Sequence, residues 1–214
     1  MTIGEAVRGS NVNEQVWFCD VIQDVGLIKM VTSDMAEDDL TSAAASEEAN
    51  FAGQSLGPEH FSKRIWADRD VRKLTLPALS FCNGDWVVNA KAANVLRAYD
   101  LGGGALYPVA MLQRDKKTPL AGEWFCWNFG NVKEAFVREG SRVKVNKYSA
   151  KIVSPPDDMQ DGDIAVTTAA LEGPDVWVDP GLMKSLFVTG RLATALHKAK
   201  LDKAFRLKRC AVRG

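Results

Sequence analysis

Residues 85–112 read DWVVNAKAANVLRAYDLGGGALYPVAML, and this stretch decides the fold. Its first residues, Asp85–Val88, are mostly aromatic and β-branched, which is typical of a strand. Asn89 predicts a helix start, because its side chain can accept a hydrogen bond from a free amide of the first turn. Three glycines end the helix, and Ala105–Leu112 is predicted to be another strand. The helix itself is indicated by apolar residues at i, i+3, i+4 and i+7, which are Ala92, Val95, Leu96 and Tyr99.

The same plan returns one hundred residues later. A short apolar run from Ser185 leads to Thr189, a second cap residue, and a second amphipathic helix follows. Strand character resumes over Leu201–Leu207. Four residues are identical at this offset, in the pairs Val88 and Val188, Ala93 and Ala193, Leu96 and Leu196, and Leu101 and Leu201. A duplicated strand-helix-strand unit explains the match, and so does the generic likeness of any two amphipathic units.

The rest of the chain is rich in predicted strands. Val16–Ile22 is the first, and the run Gly26–Thr32 follows within hairpin distance. The spacing of apolar residues over Phe61–Trp66 indicates a short amphipathic helix, and Glu123–Gly130 is a dense aromatic strand. We therefore expect an α+β fold with strand-rich sheets and two related strand-helix-strand units, at about residues 84–112 and 184–212. It forms a single domain or two lobes, an N-terminal part over residues 1–75 and a core over residues 76–214.

Composition limits the classes of protein that the chain can belong to. Of its 214 residues, 46% are hydrophobic and 25% charged, and the formal net charge is zero. This is ordinary globular usage, without a bias toward polyanions such as nucleic acid and without an apolar run long enough to span a membrane. Residues 1–10 lack the pattern of a secretory signal. The four cysteines are far apart and are expected to be buried thiols, so a cytoplasmic location is predicted.

Residues with catalytic or metal-binding chemistry are sparse. His60 and His197 are the two histidines, and neither has a motif partner for acid-base catalysis. Residues 157–168 place a Met and a Thr where a calcium loop requires ligands. The glycines at 102–104 follow a helix, whereas a phosphate loop precedes one. We therefore predict no catalytic, cofactor-binding or metal-binding residues, no cofactor and no enzymatic activity.

Charge is distributed unevenly along the chain. The last 31 residues contain nine Lys and Arg but one acid, Asp202, whereas residues 30–62 contain no Lys or Arg. The two ends can neutralise each other or stay solvated, or one of them can dock a partner of opposite charge. Within the acidic stretch, residues 41–49 favour a short helix or a mobile loop. Under the docking hypothesis, the partner-binding residues are the acids of residues 34–48, which are Asp34, Glu37, Asp38, Asp39, Glu47 and Glu48.

The two related units also carry a family resemblance. Residues 86–96 (WVVNAKAANVL) and 186–205 (LFVTGRLATALHKAKLDKAF) resemble the eleventh immunity-protein family of bacterial polymorphic toxin systems, although Thr189 stands where serine is usual. Further similarity lies in the Asp-Pro at 179–180, the Pro-Ala-Leu at 77–79 and the Tyr-Pro-Val at 107–109. In all, the resemblance covers roughly residues 58–210.

The resemblance implies an antidote that binds and blocks a cognate toxin, such as one delivered by type VI secretion. It carries over no functional residues, because members of the family face different toxins. The expected partner is therefore a cognate toxin or effector protein, with no direct contact to nucleic acid or a membrane. Two alternatives remain, namely an uncharacterised hydrolase using scattered acids and an effector-loading adaptor or scaffold protein.

Overall fold

The computed structural model of the chain describes residues 11–21, 26 and 28–214, and it confirms the mixed α+β fold. The helices are α1 (Asp34–Asp38), α2 (Leu40–Phe51), α3 (Ala90–Arg97), α4 (Gly190–Lys198) and α5 (Asp202–Phe205). The strands are β1 (Val16–Cys19), β2 (Val31–Ser33), β3 (Arg64–Ala67), β4 (Leu79–Cys82), β5 (Asp85–Asn89), β6 (Ala105–Leu112), β7 (Trp124–Asn128), β8 (Phe136–Val137), β9 (Lys144–Asn146), β10 (Ser149–Ser154), β11 (Ala165–Thr167), β12 (Val176–Trp177), β13 (Phe187–Thr189), β14 (Leu207–Arg209) and β15 (Ala211–Arg213).

Two sheets organise the chain. The larger has six strands in the order β2-β3-β6-β7-β5-β4, so β2 and β4 are its edge strands. Ile28, three residues before β2, forms a bridge to Phe81 on the opposite edge strand, β4. The smaller has the order β12-β13-β1-β14. A three-stranded sheet, β15-β11-β8, and the hairpin β9-β10 complete the described strands.

The two strand-helix-strand units are related in topology and register. In the first, β7 lies between β5 and β6 and is antiparallel to both, and in the second β1 lies in the same way between β13 and β14. Val88 is opposite Phe125, and the equivalent Val188 is opposite Trp17. The helices begin alike, with Asn89 and Thr189 as side-chain caps. The predicted pair of related units is therefore confirmed.

The second unit differs from the first in the source of its central strand. In the first unit the central strand, β7, follows directly after β6, whereas the second unit takes β1 from the N-terminal part of the chain. The first amide of each helix donates to the strand at an equivalent place, from Ala90 to the carbonyl of Glu123 and from Gly190 to that of Gln15. Pairing therefore joins residues on both sides of the expected boundary near residue 75.

The main core lies where α3 and α4 contact each other between the two sheets. Leu96 and Leu196 are both fully buried there, as the duplication requires, and Trp127 joins them from β7. A second apolar cluster packs the other face of the smaller sheet against the three-stranded sheet. A third fills the remaining face of the six-stranded sheet. The four cysteines are buried free thiols, as expected.

Three local predictions are wrong. The segment before β2 does not pair with β1, because β2 pairs with β3 in the other sheet. Phe61–Trp66 contains no helix, since the run from Arg64 forms β3 and pairs with β2 and β6, and this pairing overrides the helical spacing. Leu201–Leu207 begins with the helix α5 and becomes strand only at Leu207.

Some sequence predictions fall on residues outside the described part of the chain. Residues 1–10, for which no secretory signal is predicted, lie outside it, and so do residues 22–25 and 27, which include one residue of each of the first two predicted strands. None of the helices in the described part of the chain has the length and apolar character that crossing a membrane requires.

Candidate functional site

The acidic segment folds as the two helices α1 and α2, which together we call the acidic layer. Ser33 caps α1 by accepting from the amide of Ala36. Asp39 ends α1 and begins α2, because its Oδ1 accepts from the amides of Thr41 at 2.9 Å and Ser42 at 3.2 Å. The hydroxyl of Ser42 donates to its other oxygen, and these bonds lower the pKa of Asp39. Asp39 therefore serves the fold as a helix cap.

Two further predicted carboxylates also have partners within the chain. Asp34 accepts hydrogen bonds from the amide of Met35 at 2.9 Å and from that of Lys63 at 3.2 Å. The second bond attaches α1 to the residue that precedes β3. Glu37 forms an ion pair with Lys116 at 2.8 Å, and the Lys116 ammonium lies 4.1 Å from the ring centroid of Trp66. Either carboxylate could therefore bind a partner protein only by giving up its contacts within the chain.

Helix α2 is held on the sheets by a buried amide network. The side chain of Asn50 donates to the carbonyl of Trp127 at 3.0 Å and accepts from the amide of Phe129 at 2.9 Å and from the side chain of Asn128 at 3.0 Å. One turn earlier, Ser46 contacts the His60 ring nitrogen at 3.2 Å. The inner face of α2 is thus fixed, and its outer face is presented in a defined orientation.

The outer face of the acidic layer carries Asp38, Leu40 and Glu48, and we call these three residues the acidic outer face. Leu40 is 70% exposed, at the corner where α2 begins. No ion pair among the described residues involves Asp38 or Glu48, which are both exposed. At 1.5 Å per residue, about 14 Å of helix separates Asp39 from Glu48, well within one protein interface.

A groove borders the C-terminal half of α2, and we call it the α2 groove. It has a volume of about 600 Å³ and lies between α2 and the segment 178–184. Burial raises the pKa of Glu47, and the nearby Lys184 opposes this rise. The groove is therefore partly apolar with a mixed charged rim, formed by Glu47, Glu48, Phe51, Pro180, Met183 and Lys184.

The structure thus divides the six predicted partner-binding residues. Asp34, Glu37 and Asp39 have structural contacts, Asp38 and Glu48 are exposed, and Glu47 lines the α2 groove, whose rim Glu48 also borders. Sequence reasoning missed Leu40 and Met183, which are exposed apolar side chains beside these acids. Leu40 directly follows two acids in the sequence, where a leucine at a helix start is a candidate exposed side chain.

Two arginines of the C-terminal unit pair with buried acids that lie outside residues 184–212. Arg191 pairs with the buried Asp175, and Arg206 contacts the buried Asp20 at 3.2 Å. His197 is largely exposed beside Asp202, as a solvated face predicts. None of the ion pairs among the described residues joins the basic end to the acidic outer face.

Asp85, at the start of β5, is a buried carboxylate that is 5% exposed and forms no ion pair with a described residue. Burial raises its pKa to about 6, opposed by hydrogen bonds from Ser62. Within the described ranges, no group of three His, Cys, Asp or Glu side chains has a metal-binding arrangement.

No protein-family model matches the chain, and no curated protein sequence matches it. The resemblance to the eleventh immunity-protein family therefore stays a prediction, carried by the residues quoted for it.

Proposed function

We propose that this protein is an immunity protein that neutralises a cognate bacterial toxin by tight, stoichiometric association in the cytoplasm. The acidic outer face is the contact surface, and the protein contributes no chemistry of its own. The observation that carries the proposal is an anchored helical layer that presents Leu40 between uncompensated carboxylates.

The arrangement suits a partner with a basic cleft. Toxins that attack nucleic acid need such a cleft, because it must hold phosphates. Asp38 and Glu48 would occupy this cleft. Their charges would also attract the toxin over long range, which speeds encounter and disfavours acidic partners. Leu40 supplies an apolar anchor near the centre of the contact, where a few buried side chains carry most of the binding energy.

Anchoring of the layer supports the same function. The Asn50 network and the Asp39 cap fix α1 and α2 before any partner arrives. A preformed surface avoids the ordering cost that a mobile loop would pay on binding. The neighbouring α2 groove extends the contact area beyond the three outer residues and offers a place for a partner side chain.

The experiment must change charge without disturbing the fold. The variant Asp38→Asn with Glu48→Gln removes two carboxylates that have no ion pair among the described residues, and it leaves the Asp39 cap and the Glu37–Lys116 pair in place. The control Glu139→Gln with Glu172→Gln makes the same change in charge at exposed positions outside the acidic layer. The candidate toxin is the product of the adjacent gene.

Association is measured by stopped-flow at low and moderate salt. The outer-face variant should associate about tenfold more slowly at low salt and should show a weaker salt dependence, with the control unchanged. Equal kinetics for both variants would refute the contact surface. A complex in which the toxin stays fully active would indicate an adaptor or scaffold protein, and turnover of the toxin or its substrate by this protein alone would indicate a hydrolase.

A further inference from the structure

A second groove lies at the far end of the six-stranded sheet, and we call it the basic groove. One wall is the segment 72–76, and the other is the connection between β6 and β7, residues 113–121. Its volume is about 840 Å³, and it is open to solvent along its length. None of the residues that form the acidic outer face or the α2 groove lines it.

The rim of this groove is positively charged. Arg72, Lys73 and Arg114 are all exposed, and none of them has an ion pair within the described part of the chain. The single acid of the lining, Asp115, accepts from the amides of Lys117 and Thr118 and from the Thr118 hydroxyl. These bonds hold the pKa of Asp115 at about 2 and occupy both of its oxygens. Within the described residues, the three cations therefore form no ion pair with a carboxylate.

The floor of the groove is apolar. Leu74 and Trp124 are buried beneath it, and Leu76 and Leu120 are partly exposed. The Trp124 indole nitrogen donates to the carbonyl of Ala121, so its ring is fixed. A ligand that alternates apolar and acidic groups would bury one set on this floor and place the other against the rim.

The backbone of the first wall adds a third feature. The side-chain amide of Gln113 binds the amide and the carbonyl of Leu74, which holds this segment in place across the groove. The next two residues, Thr75 and Leu76, continue without regular secondary structure. Among the described residues no hydrogen bond uses their backbone amides. An extended peptide can pair with such a segment as an added strand.

We propose that the basic groove binds an extended segment of a partner protein that alternates acidic and apolar residues. The cations recognise its carboxylates, the floor takes its apolar side chains, and one backbone amide of Thr75 or Leu76 bonds to its main chain. An open groove encloses too little of a small anion to bind it well, whereas a peptide gains contacts along the whole length. The inference is independent of the proposed immunity function, because it concerns another surface and a partner of opposite charge.

The first test measures binding of a fluorescein-labelled peptide of about eight residues that alternates Glu and Leu, by fluorescence anisotropy. Arg72→Glu with Arg114→Glu should weaken binding by about tenfold or more. Lys198→Glu with Lys200→Glu makes the same charge change at the end of α4, away from the groove, and should leave affinity unchanged. A peptide with Lys in place of Glu should not bind.

A second measurement tests the backbone contact. In a ¹⁵N-labelled sample, the Thr75 and Leu76 amide resonances should move on titration with the Glu-Leu peptide. Because neighbouring amides of an extended segment point to opposite sides, only one of the two can bond to the peptide. Of the variants Thr75→Pro and Leu76→Pro, the one that removes this amide should weaken peptide binding more, while circular dichroism shows an intact fold.

Three results would overturn the proposal. One is no binding of the Glu-Leu peptide up to about 1 mM, and another is equal loss of affinity in the α4 control. The third is displacement of the peptide by equal concentrations of inorganic phosphate, which would identify a phosphate site. None of these results bears on the acidic outer face, so failure here is distinguishable from failure of the proposed function.

Discussion

The buried carboxylate of Asp85 makes the pH dependence of stability predictable. The side chain is 5% exposed, and its Oδ2 accepts from the amide of Ser62 at 3.4 Å. No ion pair among the described residues involves it. Burial raises its pKa from 3.8 to about 6, and the charge of Asp34 adds to the rise, whereas the Ser62 hydrogen bonds oppose it.

The sign and magnitude follow from linkage between protonation and folding. Because the folded-state pKa lies above the unfolded-state value, this carboxyl stabilises the fold fully below about pH 4, and the contribution is lost as the pH rises through about 6. A rise from 3.8 to about 6 corresponds to a free energy of about 3 kcal/mol, since each pKa unit is worth about 1.4 kcal/mol.

The variant Asp85→Asn removes the ionisation and keeps an oxygen that can accept from Ser62. Urea unfolding of the two proteins should therefore show the variant gaining about 2.5 kcal/mol relative to the native protein between pH 4 and pH 7.5. The control Asp38→Asn, at an exposed site, should follow the native curve in parallel. Parallel curves for Asp85→Asn as well would refute the assignment of Asp85 as a buried carboxyl without a cation.

Further changes test the packing of the fold. Leu196→Ala and Leu96→Ala should each lower the free energy of unfolding by about 2–5 kcal/mol in urea titrations, because both side chains are fully buried at equivalent places. Asn50→Ala should cost about 1–3 kcal/mol and speed hydrogen exchange of the Phe129 amide, which loses its acceptor. Thr189→Ala should cost about 1–3 kcal/mol, because its hydroxyl caps α4 and also donates to the buried Asp175 carboxylate, and an unchanged melting temperature would contradict both contacts.

The repeated units were predictable because their signals are local. The caps at Asn89 and Thr189 and the apolar stripes lie within one helix each, so spacing alone indicates them. The place of β1 was not predictable in the same way. Its residues indicate a strand, but its partners β13 and β14 lie about 170 and about 190 residues away in sequence, and alternation does not specify which strands pair.

In the candidate site, too, local features were predictable from the sequence and contacts between distant residues were not. The acidic composition of residues 34–48 is visible in the sequence, and the propensities there left helix and loop open. Which acids remain available depends on contacts between distant residues, such as Glu37 with Lys116. The α2 groove is also non-local, since it is lined by Phe51 and Met183, which are far apart in sequence.

The central claim is that this protein neutralises one toxin molecule through the acidic outer face, and isothermal titration calorimetry with a parallel toxin assay tests it most directly. The account predicts one-to-one binding with a dissociation constant of about 10 nM or tighter, with toxin activity lost at one equivalent. It also predicts that Leu40→Ala combined with Asp38→Asn and Glu48→Gln weakens binding of the toxin and weakens its inhibition to the same extent. A toxin that binds the triple variant as tightly as the native protein, or that stays active when saturated, would contradict the account.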